Sequence, residues 1–79
     1  MKAIYTLQVE PMVKWLNKQL VNYETVDELA FHLKQETPWL RSILSGKVKT
    51  IDIDKADEIL CIEGSTHLRE IYPDLYGEY

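Results

Sequence analysis

At 79 residues with a net charge of −4, the chain is one small domain, with room for a single core but not for an active-site cleft between lobes. The single cysteine, Cys61, excludes a disulfide staple and fits a reducing intracellular compartment. No apolar run approaches the roughly 20 residues of a membrane span, and MKAIYTLQVE at the start lacks the apolar core of a signal peptide, so a cytoplasmic chain with no membrane partner is expected.

In the first ten residues Ala3, Tyr5, Leu7 and Val9 alternate with Ile4, Thr6 and Gln8, which is strand periodicity. No second strand is foreseen in the chain. Residues 1–10 are therefore expected to form an extended N-terminal arm, or an edge strand that pairs with the same segment of another copy. A helical domain is expected over 11–76, and 77–79 form a short tail. The first helix is expected to begin at Pro11, which suits the first helical position because its missing N–H would have had no partner there. Met12, Trp15, Leu16, Gln19 and Leu20 follow at helical spacing, and Lys14 and Lys18 face outward.

The segment from Thr25 to Gly46 carries the most information. Thr25-Val26-Asp27-Glu28 reads as a capping box: the Thr25 hydroxyl accepts from the Glu28 amide and the Glu28 side chain reaches back. Val26, Leu29, Ala30 and Leu33 form one apolar stripe. After a break at Gln35-Glu36-Thr37, Leu40, Ile43 and Leu44 form another. Thr37-Pro38 reads as a cap followed by proline at the first helical position, and Gly46 as a left-handed stop. Two short helices joined by a tight turn in this way commonly present the second helix to DNA.

After a loop at 47–51, a fourth helix is expected from Asp52 or Asp54, with Ile53, Ala56, Ile59 and Leu60 in line, ending at Gly64. Ser65 or Thr66 is expected to cap a fifth helix that runs through Ile71 and is closed by Pro73. The expected fold is thus all-α, a compact bundle of about five short helices containing a helix-turn-helix. Leu68, Ile71, Tyr72, Leu75 and Tyr76 leave the carboxyl end apolar enough to pair two copies, with the N-terminal arm as the other surface for a homodimer.

Overall acidity opposes phosphate, yet its distribution is uneven. Residues 37–51 hold Arg41, Lys47 and Lys49 and no acid, while the remainder holds 6 basic and 13 acidic residues, a net −7. His32 and His67 have no ligand-like partners in sequence, and the acids from Asp52 to Glu58 lack the glycine turn and terminal glutamate of a calcium loop, so no metal or cofactor is expected. Cys61, between Leu60 and Ile62, reads as a small core residue. Trp15, Tyr23 and Tyr72 read as core aromatics on separate helices. No nucleophile, base and oxyanion set can be assembled, so an enzyme is not expected.

The stretch from Thr25 to Gly46 resembles the lambda-repressor and Cro-like helix-turn-helix family. The likeness lies in Ala30 inside the first helix of the pair, Leu33 three later, Thr37 before the second helix, Leu40 and Ile43 within it, and Gly46 beyond. KTIDIDKADEILCIEG is similar to the fourth helix of such domains. RSILSGKVKTIDIDKADEIL with LREIYPDLY is similar to small helix-turn-helix proteins of actinobacteria and their phages, so the likeness covers roughly 11–76. The family's frequent turn glycine is replaced here by Lys34 or its neighbours Gln35 and Glu36. The resemblance implies sequence-specific binding of double-stranded DNA by a transcription regulator or repressor of a bacterium or phage, with 37–45 as recognition helix. Thr37 would then donate to phosphate, Arg41 would pair with guanine, Ser42 and Ser45 would reach base edges or phosphate, and Lys47 and Lys49 would track the backbone. Trp39 would either tuck under the first helix of the pair or touch thymine methyls or sugar. The competing reading is an acidic protein-interaction module on the same scaffold, binding a host or regulatory protein.

Overall fold

The computed structural model describes residues 6–73. In chain order these are strand β1 (Thr6–Gln8), helices α1 (Glu10–Leu20), α2 (Val26–His32) and α3 (Thr37–Leu44), strand β2 (Thr50–Asp52), and helices α4 (Ile53–Glu63) and α5 (Leu68–Ile71). The described residues are mostly helical, with five helices as expected, and they add a small two-stranded sheet. No helix among the described residues is long and apolar enough to cross a membrane.

The sheet corrects the reading of the amino-terminal segment. β1 runs antiparallel to β2, with Thr6 opposite Asp52, Leu7 opposite Ile51 and Gln8 opposite Thr50. Leu7 and Ile51 point inward and are buried, while their neighbours face out. This one cross-strand apolar pair fastens the segment to its own chain. The Val9 N–H continues the attachment by donating to the Lys49 carbonyl at 3.0 Å. Neither a free arm nor a partner copy is needed, and the expected loop through Ile51 is partly strand. Ala3, Ile4 and Tyr5 lie outside the described residues.

The core is built from every element. Met12, Leu16, Leu29, Leu33, Leu40, Ile43, Ile59 and Leu60 are the largest fully buried side chains, and Leu7, Val9, Trp15, Ile51, Leu68 and Tyr72 close it. Fully burying a leucine or isoleucine side chain stabilises by about 1.5–3 kcal/mol. The two stripes on either side of the 34–36 break are therefore the principal adhesive between α2 and α3.

Helix ends follow local chemistry with small departures from expectation. The Thr25 hydroxyl accepts from the Glu28 N–H at 3.1 Å, but the Glu28 carboxylate reaches the Glu24 N–H at 3.2 Å, one residue before the cap. α4 ends at Gly64, whose φ of 89° only glycine adopts cheaply. α5 starts later than expected, after His67, whose N–H donates to Glu70 at 3.1 Å. Ser65 and Thr66 serve elsewhere: Ser65 bonds the Glu63 carboxylate, and Thr66 accepts from the Trp15 indole N–H at 3.1 Å. Cys61, expected in the core, is exposed. At about 100° per residue it falls off the stripe formed by Ala56, Ile59 and Leu60.

Residues 68–72 are committed to their own chain. Leu68 is 3% and Tyr72 9% exposed, and half-buried Ile71 packs against the same core. Leu68 and Tyr72 therefore leave little surface for the expected homodimer face; Leu75 and Tyr76 lie outside the described residues. The Tyr72 hydroxyl donates to the Gln8 carbonyl at 2.6 Å, joining the two ends of the domain. Burial pushes its phenol up to about 12, against a smaller downward pull from the Met12 backbone.

Because the raised pKa belongs to the folded state, the unfolded chain releases this proton first as pH rises. Stability from Tyr72 is complete below about pH 10 and declines between about 10 and 12. Urea midpoints measured across pH 9–12 should fall less steeply for Tyr72→Phe than for the native chain, from a start about 1 kcal/mol lower for the lost hydrogen bond. Parallel curves would contradict the burial of this hydroxyl.

Candidate nucleic-acid interface

The geometry of this region is set by the reversal between α2 and α3. Lys34 has φ of 59°, making it the one non-glycine residue among those described in the left-handed region. Its N–H donates to the Phe31 carbonyl at 3.1 Å, and the Gln35 N–H donates to Ala30 at 2.8 Å. This pair of bonds is the Schellman arrangement, which normally places glycine where Lys34 stands. Gln35 then anchors the turn to α4. Its amide nitrogen donates to the Leu33 carbonyl at 3.1 Å and to Glu58 at 3.0 Å, while its oxygen accepts from Lys55 at 3.1 Å.

The reversal fixes which side of α3 looks outward. Leu40 and Ile43 are fully buried. Pro38, Arg41, Ser42 and Ser45 lie opposite them on the helix, with Thr37 at the margin. Glu36, not Thr37, occupies the cap position, and no side chain caps the first turn. Pro38 has no N–H to offer, so the first turn opens on the backbone amides of Thr37 and Trp39. α3 stops at Gly46 (φ 85°), where Lys47 and Gly46 donate to Ser42 and Ile43 in a second Schellman arrangement.

The expected site residues do not all end in the same situation. Thr37 is half-buried, and Ser45, Lys47 and Lys49 are exposed. Ser42 is half-buried and turned onto its own helix, donating to the Trp39 carbonyl at 2.6 Å; Ser45 donates to the Ser42 carbonyl at 3.3 Å. Trp39 packs against the core, with the Lys55 ammonium 5.5 Å from its ring centroid. Arg41 does not project freely: its Nη2 donates to Asp27 Oδ1 on α2 at 3.3 Å, with both side chains about two-thirds exposed. The stretch that is free of acid in sequence is thus not free of acid in space.

Two residues that sequence reasoning left out belong to this surface. Lys14 on α1 joins Ser45 and Lys49 around an open groove of about 520 Å³ between the start of α1 and the end of α3, which Glu10 also lines. Asp27 is the other. No signal short of the three-dimensional fold pairs either with 37–49, since each lies on a different helix. Next to Asp27, α2 exposes Phe31 (86%) between acidic neighbours, over a shallow depression shared with Tyr23, Glu28 and His32. The Tyr23 and His32 rings pack 5.3 Å apart.

No protein-family model, curated protein or solved structure matches the chain.

Lys34 is an internal probe of the reversal, because an L-residue in the left-handed region costs about 1–2 kcal/mol that glycine escapes, offset in part by glycine's larger entropy loss. Lys34→Gly should raise stability by about 0.5–1 kcal/mol, a gain of roughly 3–6 °C in Tm. Lys34→Val should lower it. A glycine variant that melts below the native chain would mean the turn does not hold this conformation.

Proposed function

We propose that the chain binds double-stranded DNA in a sequence-specific manner, with α2 and α3 acting as a helix-turn-helix and α3 entering the major groove. The observation that carries this reading is the outward face of α3, where Arg41 and Ser45 stand over a buried Leu40–Ile43 stripe and lead directly to exposed Lys47 and Lys49. The uncapped first turn of α3 adds backbone amides that suit a phosphate oxygen. Arg41 has the planar fork that matches guanine O6 and N7. The left-handed residue at Lys34 stands where the lambda-repressor and Cro-like pattern commonly has glycine, which favours that family and, with it, a role in transcription regulation in a bacterium or phage.

Few phosphates are engaged in this arrangement, so non-specific affinity is low and most discrimination comes from base contacts. One short helix reads only a few base pairs, and useful specificity calls for a second copy about one helical turn away. With Leu68 and Tyr72 inside the monomer core, the two copies would pair through another surface.

A second reading has its own observation. Phe31, 86% exposed beside Asp27 and Glu28, is an apolar anchor on an acidic face, which favours a basic protein partner over phosphate.

Selection from random duplex DNA with the purified protein separates the two. The DNA reading predicts an enriched site with affinity that falls as salt rises, and an Arg41→Ala variant that loses about 10- to 100-fold on that site but far less on random duplex. Failure to enrich any sequence, with no duplex binding at low salt, would move the function to the Phe31 face.

A further inference from the structure

We propose that Asp27 is a specificity-determining positioning residue: its carboxylate holds Arg41 so that the guanidinium reads a base instead of a phosphate. The inference rests on the DNA-binding reading above and names how that same site would be tuned. Asp27 and Arg41 are 14 residues apart on different helices, and only the reversal at Lys34 brings them to 3.3 Å. Asp27 sits in the first turn of α2, where the helix dipole favours a negative charge. The carboxylate engages Nη2, and the other guanidinium donors remain for a ligand.

The consequence follows from the different physics of the two targets. Attraction to phosphate is set by net charge, and a carboxylate beside the guanidinium cancels much of it. Pairing with guanine O6 and N7 is set by the direction of the N–H groups, which the carboxylate leaves intact and steadies. Asp27 therefore weakens Arg41 as a general anchor and favours it as a reader. An exposed pair of this kind is weak and yields readily to a better acceptor, so it biases Arg41 without locking it.

The test compares the native chain, Asp27→Asn, Glu36→Gln, and Asp27→Asn combined with Arg41→Ala, on the selected duplex and on random duplex over a salt series. Glu36 is an exposed acid beside the start of α3, and its substitution removes the same charge without touching Arg41. Asp27→Asn should tighten binding to random duplex by about 3–10-fold and steepen the salt dependence by about one counterion, while the ratio of selected to random affinity falls. Glu36→Gln should tighten both duplexes alike and leave that ratio unchanged. In the Arg41→Ala background, Asp27→Asn should no longer alter the ratio. If Asp27→Asn behaves like Glu36→Gln, Asp27 is only a repelling charge and the inference is overturned alone. If the native chain binds neither duplex at any salt, the DNA reading falls and takes the inference with it.

Discussion

The protein depends on one packing event: Leu29, Ala30 and Leu33 closing against Leu40 and Ile43 across the chain reversal at Lys34. All five side chains lie at or near zero exposure, so neither helix can rotate without bringing leucine or isoleucine to water. Truncating one such side chain typically costs about 2–5 kcal/mol, a large share of the 5–15 kcal/mol that holds a domain together. Ala30 contributes by being small, since its methyl lets the two backbones approach. The outward residues of α3 follow as a geometric remainder: once Leu40 and Ile43 are inside, Arg41 and Ser45 face solvent.

The other elements brace this pair. Gln35 ties the reversal to α4 through Glu58 and Lys55, and Lys55 also lies over Trp39. The antiparallel contact of β1 with β2 brings the amino end beside the loop carrying Lys47 and Lys49, and Tyr72 fastens that same end through the Gln8 carbonyl. Trp15 reaches Thr66 ahead of α5. Residues far apart in sequence thereby set the position of the lysines relative to α3. The result is an asymmetric surface, with Lys14, Lys47 and Lys49 toward the end of α3 and Asp27, Glu28 and Phe31 on the exposed side of α2.

What could be read from sequence was what depends on neighbours in the chain. Helical stripes locate α1 to α4, Thr25 caps α2 through Glu28, and Gly46 and Gly64 stop α3 and α4, because each signal acts within four or five residues. What could not be read depends on distant residues. Strands of three residues, each with a single inward side chain, leave too short an alternation to pair Leu7 with Ile51. The ion pair of Arg41 with Asp27 needs the angle between α2 and α3, and the burial of Leu68 and Tyr72 needs the groove they fill. Cys61 was misplaced because its apolar neighbours Leu60 and Ile62 mask a turn of about 100° per residue away from the core. Lys34 is the instructive case: the family's frequent turn glycine is replaced here, and backbone bonds from Lys34 and Gln35 close the turn regardless.

The decisive quantity is which surface of the protein duplex DNA touches. Backbone amide shifts of isotopically labelled protein, followed during addition of a selected duplex, read that surface residue by residue. The largest changes are predicted at Thr37, Trp39, Arg41, Ser45, Lys47 and Lys49, with little change at Phe31 and His32. Changes centred on Phe31 and the acidic side of α2, with 37–49 undisturbed, would contradict it.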